Sequence, residues 1–265
     1  MRIVTLSLAA AVALTPAAVI ASGKTAAPSY TLSNTTYSQD FDGLASTGSS
    51  NTALPAGFQI VETGTASRAD GEYEAGTGSS NAGNTYSFGN SSDRALGSLT
   101  SGSASPIYFG GIFTNGLGAT IDSLTFGYDG EQWRSGSAGF DALNFQFSLN
   151  ATELDNGTWT DFDLLDFAAT NFSGSGAING NTFSTAISGT IGGLSIADGS
   201  RFGFRWVDED VSGSDHGLGV DNLTIAASVL PVAGAVPEPS AWALMILGFG
   251  MVGLGLRSRR RVAFA

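Results

Sequence analysis

Within GYDGEQWR (127–134) the chain sets Tyr128 and Trp133 beside Glu131, Gln132 and Arg134. Flat aromatic rings present an apolar face to sugar C–H groups, and neighbouring carboxylate, amide and guanidinium groups bond hydroxyls. This stretch therefore carries the chemistry of glycan recognition, with Tyr128 and Trp133 as its candidate docking rings. Trp133 has a competing role as a buried core ring, and Arg134 as a structural partner for an acidic neighbour. Trp159 and Tyr108 are further rings of the same use, whereas Trp206 alternates with Phe204 and Phe202 and reads as core. A second run, DEDVSGSDHG (208–217), brings carboxylates at Asp208, Glu209, Asp210 and Asp215. It lacks the spacing, set Gly and closing Glu of an EF-hand loop and reads as an exposed hairpin loop, with calcium binding as the alternative. His216, the one histidine, belongs to the same loop. With no cysteine and a single histidine, thiolate sites and histidine-rich zinc sites are excluded, and nucleophile–histidine catalysis would have to use His216. No Gly-x-Ser-x-Gly elbow occurs. Two carboxylates suffice for glycoside hydrolysis, but no pair singles itself out, so the chain is read as non-catalytic.

The elements that would hold these residues are strands. Leu143, Phe145, Phe147 and Leu149 alternate with Asn144, Gln146 and Ser148, the period of two of a strand with one buried face. Leu124, Phe126 and Tyr128 repeat the pattern, as do Phe202, Phe204 and Trp206, with Arg201 and Arg205 on the opposite face. Further strands are expected at 58–61, 107–113, 159–165, 186–191 and 220–225. Between them, TGSSN, EAGTGSSNAGN and NFSGSGAINGN read as turns and loops. No long stretch of the body keeps helical periodicity. Many short strands predict an all-β, antiparallel sandwich; the rival, a parallel β-helix, would need a short fixed repeat that is not present. Seventeen phenylalanines and four tryptophans bury enough area to offset the chain entropy that 37 glycines bring.

Between residues 22 and 236 there are 22 acidic and six basic side chains, because Arg2, Glu238, Arg257, Arg259, Arg260 and Arg261 lie outside that range. No basic stripe exists to neutralise phosphate, which argues against nucleic acid. An acidic surface favours solubility outside the cell and suits divalent cations, without by itself making a cation site.

The two ends carry addresses. Arg2, the apolar run Ile3 to Leu14, and the small residues Val19 and Ala21 before Ser22 form the three parts of a secretory signal peptide over 1–21. Residues 22–36 follow as a flexible leader, and 229–240 as a spacer. Residues 241–256 contain no charge. As a transmembrane helix this span is ~24 Å long at ~1.5 Å per residue, short against a hydrocarbon core of ~30 Å. Trp242 at one edge, and Arg257, Arg259, Arg260 and Arg261 in the tail 257–265, reach the two interfaces and keep the tail cytoplasmic. Pro237-Glu238-Pro239 in front of the span is an extended peptide of the kind a protease groove accepts. Pro-Glu-Pro, Trp-Ala-Leu, an apolar span and an arginine cluster, in that order, resemble the PEP-CTERM sorting signal of Gram-negative bacteria. The resemblance implies that an exosortase, an integral-membrane protease or transpeptidase, recognises Pro237, Glu238 and Pro239. The anchor in the inner membrane would then be temporary, and the mature protein would reach the surface or the medium.

SQDFDGLA (38–45) opens the body and GLGVDNLTIAAS (217–228) closes it. An acidic-Phe-acidic entry strand with a Gly-apolar-Asp exit strand is similar to bacterial jelly-roll modules with a concanavalin-like sandwich, including carbohydrate-binding and MAM-like domains. SSDRALGSL (91–99) and GEQWR (130–134) also resemble a recurrent domain of secreted bacterial proteins. The resemblance implies a jelly-roll domain over 37–228 with its first and last strands adjacent. It also implies a structural calcium ion held by Asp40, Asp42 and Asp221. Around Asp221 the alternation of Val220 and Leu223 breaks, which predicts a bulge. The expected function is that of an exported surface or extracellular-matrix protein, non-catalytic and associated with exopolysaccharide or biofilm. The alternative is a glycan-binding module or adhesin with structural calcium, and a secreted hydrolase is the third reading.

Overall fold

The alternating stretches become two facing sheets. The computed structural model describes residues 29–231 and 239–261, with side chains of the second segment described over 242–253. Its strands in chain order are β1 (Tyr30–Leu32), β2 (Thr36–Gln39), β3 (Phe58–Gly64), β4 (Tyr73–Gly76), β5 (Asn84–Phe88), β6 (Ala95–Leu99), β7 (Ala104–Asn115) and β8 (Ile121–Ser135). They continue with β9 (Ala142–Ser148), β10 (Thr160–Asp161), β11 (Phe167–Ala168), β12 (Gly176–Ala177), β13 (Ser184–Ile191), β14 (Arg201–Asp208) and β15 (Gly217–Val229). A single helix, α1 (Pro239–Arg261), follows.

One sheet runs β1-β7-β14-β9-β10, with β3 also on β7 and β11 also on β9. The other runs β12-β8-β15-β6-β5-β4, with β13 also on β8 and β2 also on β15. Pairing is antiparallel except for β1 on β7 and β4 on β5. The expected contact of the first and last strands is made by β2 and β15, with Gln39 opposite Leu223 and Tyr37 opposite Ile225. The two inner faces interlock through rings. Phe126 of β8 lies 5.3 Å from Phe204 of β14 and 5.1 Å from Phe145 of β9, and Tyr128 meets Trp206 edge-on at 5.2 Å. Each such ring taken out of water contributes about 1.5–3 kcal/mol, so the three alternating stretches supply the sandwich with its core.

Three boundaries differ from the sequence expectation. Tyr30 and Leu32 lie in what reads as a flexible leader, yet β1 pairs with β7 and Tyr30 packs 5.0 Å from Phe113. The domain thus starts before residue 37, because an apolar edge of the core needs covering. Strands β4 to β6 come from Gly- and Ser-rich sequence that reads as loop in part. Small residues are required there: a Cβ on Gly97 would fall 2.1 Å from the Leu218 carbonyl oxygen and 2.5 Å from Gly219 Cα. In 159–165 only Thr160–Asp161 pairs as strand, and Asp163–Leu165 closes a 3-10 turn.

Helix α1 begins at Pro239, the position where a missing N–H costs least. Its described apolar side chains, among them Leu244, Ile246, Leu247 and Phe249, are exposed. No helix among the described residues is long and apolar enough to cross a membrane; the span 241–256 is described in side chains only between 242 and 253. The signal peptide 1–21, and Pro237 and Glu238 of the sorting motif, lie outside the described residues, as do the side chains of Pro239, Arg257, Arg259, Arg260 and Arg261.

Candidate functional site

The sequence places sugar-docking rings at Tyr128 and Trp133, and the structure buries both. Tyr128 lies on the inner face of β8 and donates its hydroxyl to the Leu165 carbonyl at 2.6 Å. Trp133 is 1 % exposed. It sits in a separate cluster with Tyr86, Phe88, Ala95 and Leu99 and stacks on Phe88 at 6.3 Å. Its Nε1 donates to Glu131 Oε2 at 2.8 Å. Neither ring offers a face to a ligand, so both assignments are corrected to core. Arg134 donates to the carbonyls of Gly78 and Ser79 and clamps the loop over this cluster.

The calcium expectation divides in the same way. β2 ends at Gln39, and Phe41 adopts a φ of 55° that buries its ring and leaves Asp40 and Asp42 exposed on either side. Asp40 lines an open cleft with Gln39, Asn222 and Thr224. Asp42 accepts the Arg94 amide at 3.0 Å. The predicted bulge is present: β15 shifts register against β8 between Asp221 and Thr224, with Asn222 at a φ of 51°. Asp221 is buried, and its two oxygens accept the backbone and side-chain N–H groups of Asn222 at 2.7 and 3.2 Å. Burial, reinforced by Glu131, Asp93 and Asp42, pushes its carboxyl up to about 8. Among the described residues no three His, Asp or Glu side chains are gathered so as to hold a metal ion.

The outer face of the first sheet offers a different candidate surface. There a cleft of about 510 Å³ is lined by Phe140, Asn144, Gln146, Asp161, Asp163, Asp166, Val207 and Glu209. Asn144 and Gln146 are the polar half of the β9 alternation, which the inward Phe145 and Phe147 force outward. Phe140 stands at the rim, 74 % exposed. An apolar ring left in water beside amides and carboxylates is the combination a sugar needs.

Gln146 in this cleft is held from the adjacent strand on the same face. The Arg205 guanidinium lies 4.2 Å from the ring centres of both Tyr108 and Trp159. It donates through Nε to Gln146 Oε1 at 2.7 Å and through a terminal nitrogen to the Leu154 carbonyl. Gln146 in turn donates to Asp161 Oδ1 at 2.7 Å. Tyr108 and Trp159 are thus occupied in holding Arg205, and Trp159 donates to the Asn156 carbonyl. Asp166 accepts the Phe145 amide at 2.7 Å; burial raises its carboxyl above the ordinary range, and Asp163 and Asp161 raise it further. Sequence reasoning missed Phe140 and the Asp161–Asp166 run. The available signal was a lone aromatic in SGSAGF, a small-residue loop that offers it nothing to pack against.

Residues 235–261 match the model of the PEP-CTERM protein-sorting motif. The chain therefore carries a sorting signal for export and membrane-associated delivery to the cell surface, and the motif implies processing by an exosortase. A search of curated proteins finds no match. Among solved structures, the chain is similar to the K1 cleaved adhesin domain of Lys-gingipain from Porphyromonas gingivalis W83, at 14 % identity and a TM-score of 0.39, over 74 % of this chain and 99 % of that one. It is also similar to the CBM22-1–GH10 modules of Clostridium thermocellum xylanase 10B, at 15 % identity and a TM-score of 0.32, over 72 % of this chain and 29 % of that one. A third similar structure is TmCBM61 in complex with β-1,4-galactotriose, at 9 % identity and a TM-score of 0.28, over 54 % and 75 % of the two chains.

Proposed function

We propose that the exported body acts without catalysis at the cell surface or in the extracellular matrix, and that it associates with exopolysaccharide through the cleft on its first sheet. The observation that carries this reading is Phe140, an exposed ring beside Asn144, Gln146 and a row of carboxylates, with Gln146 held in place by Arg205. A side chain held in place limits the entropy lost on binding. Helix α1 serves first as the anchor in the inner membrane: its apolar side chains project uncovered, which suits a lipid surrounding. Exosortase recognition of Pro237-Glu238-Pro239 then frees the body from that anchor.

The experiment is retention of the full chain, in detergent, on extracellular polysaccharide from the producing cells. Phe140→Ala removes a ring that supports no packing, so it should leave the melting temperature unchanged and lower retention at least fivefold. Wild-type protein that is not retained, or a variant retained equally well, overturns the docking role and leaves a matrix component that presents a polar surface.

A further inference from the structure

The run 208–217 turns inward instead of forming the exposed loop that its composition suggests. Asp208, Asp215 and His216 are buried, the Ser98 hydroxyl donates to Asp208 Oδ2 across the sheets at 2.6 Å, and Gln132 donates to His216 Nδ1 at 2.8 Å. Its polar groups are thus engaged inside the fold. Unused hydrogen-bonding capacity lies instead along β13. This strand pairs with β8 on one side only, from Ser184 opposite Glu131 to Ile191 opposite Leu124. In an antiparallel ladder every second residue turns its N–H and C=O away from its partner. Among the described residues no other strand or turn bonds those groups of β13.

The other edge strands are closed to further pairing by length, charge or shape. β1, β2, β10, β11 and β12 span four residues or fewer. β3 carries Glu62 and a register shift before Gly64, and β4 carries Glu74. β13 is different: its eight residues, STAISGTI, hold no charge and no proline, and they pair with β8 without a register shift. Ser184, Thr185, Ala186, Ser188 and Thr190 are exposed. A long, regular, uncharged edge is a template for another strand. Apolar groups flank it. A Cβ on Gly189 would fall 3.2 Å from both Leu165 and Phe162, beside the turn on which Leu164 is exposed. Ile191 ends the strand in a cleft of about 380 Å³ that Leu194, Phe147 and the exposed Leu149 also line.

We propose that β13 pairs antiparallel with β13 of a second copy of this chain, joining two sheets into one across a two-fold axis. Charge selects this occupant. Between residues 22 and 236 there are 22 acidic side chains against six basic ones, so two copies repel over most of their surface. Along β13 they meet without opposing charges on the paired strands, and one strand supplies matching donors and acceptors to both copies. Parity fixes the register. Side chains directly opposite each other must lie on one face, so the axis passes through a residue and not between two. The overlap is longest with that residue at Ile187 or Ser188. Each copy presents one such edge among its described strands, so pairing closes at a dimer instead of growing into a fibre. It does not depend on glycan docking at Phe140.

The test is disulfide trapping of the full chain in detergent with a mild oxidant. The chain has no cysteine, so each introduced thiol is the only one. Ile187→Cys and Ser188→Cys are compared with Ser184→Cys on the same edge and with Thr36→Cys on β2. A residue at the axis faces its own copy within disulfide reach, about 4.4–6.8 Å between Cα atoms. Ser184 lies three or four residues from the axis, so its two copies stand roughly 20 Å or more apart. Either Ile187→Cys or Ser188→Cys should give at least about fivefold more cross-linked dimer than Ser184→Cys and Thr36→Cys. If Ile187→Cys lowers the melting temperature, a mixture of Ala186→Cys and Ser188→Cys chains reports the same axis, because those two residues then oppose each other. The proposal is overturned if neither axis position cross-links in folded protein. It is equally overturned if Ser184→Cys or Thr36→Cys cross-links as well as they do, which would mean random collision in the micelle.

Discussion

Replacing Asp221 by Asn will flatten the pH dependence of stability between pH 5 and 9. Asp221 is 2 % exposed on the β15 bulge, and burial with Glu131, Asp93 and Asp42 around it holds its carboxyl up to about 8. The folded protein thus keeps a proton that the unfolded chain releases near the ordinary value of 3.8. The stability this proton carries is complete below the ordinary value and is lost as pH rises through about 8. At ~1.4 kcal/mol per tenfold change in proton affinity, Asp221 accounts for at most about 6 kcal/mol of that loss, of which about 4 kcal/mol falls between pH 5 and 9. Glu131, held up to about 7, and Asp215, held up to about 6, act in the same direction. Glu131 and Asp221 share part of one effect, since each charge raises the other's affinity, so their losses do not add. At about 2–4 °C per kcal/mol for a domain of this size, the wild type should melt roughly 10–20 °C lower at pH 9 than at pH 5. The assay is a series of thermal melts in EDTA at constant ionic strength. Asp221→Asn retains an acceptor for the Asn222 amide and carries no charge, so its melting temperature should fall about half as far. A wild-type profile that is flat or rises with pH, or a variant with the wild-type slope, refutes the reasoning.

Trp133→Ala should cost about 3–5 kcal/mol by emptying the cluster it shares with Phe88 and Tyr86, and chemical denaturation reads it directly. A loss below ~1 kcal/mol would mean that the ring is solvated and that glycan docking there must be reconsidered. Changing Pro237 and Glu238 to Ala should leave full-length chain in the inner-membrane fraction, because the exosortase no longer recognises it. Unchanged release of the body, followed by immunoblot of membrane and medium, would refute that role for the motif.

Parity made much of the fold legible. Phe126, Phe145 and Phe204 declare their strands because a half-buried strand must alternate, and the bulge at Asp221 showed itself as a break in that rule. Strands β5 and β6 escaped for the same reason. Both of their faces are buried, and Ser, Gly and Asn on them serve close strand approach, so no alternation of polarity marks them. The sugar-docking rings were misread because Trp133 and its polar neighbours share a local sequence but not a surface: Glu131 turns inward to the indole nitrogen, and Gly180 lies against the ring.

By itself the sequence determined the alternating core strands and the sorting tail, since both are written in residues adjacent along the chain. Hydrophobic period and the order of Pro-Glu-Pro, apolar span and arginines require no knowledge of distant contacts. Only the tertiary structure decided which carboxylates are buried and which rings face water. Asp208 meets Ser98 and Asp141 meets His216 across 110 and 75 residues. Burial of a charge and exposure of a ring depend on what the other sheet or a distant loop places over them, and that information is absent from any local run of residues.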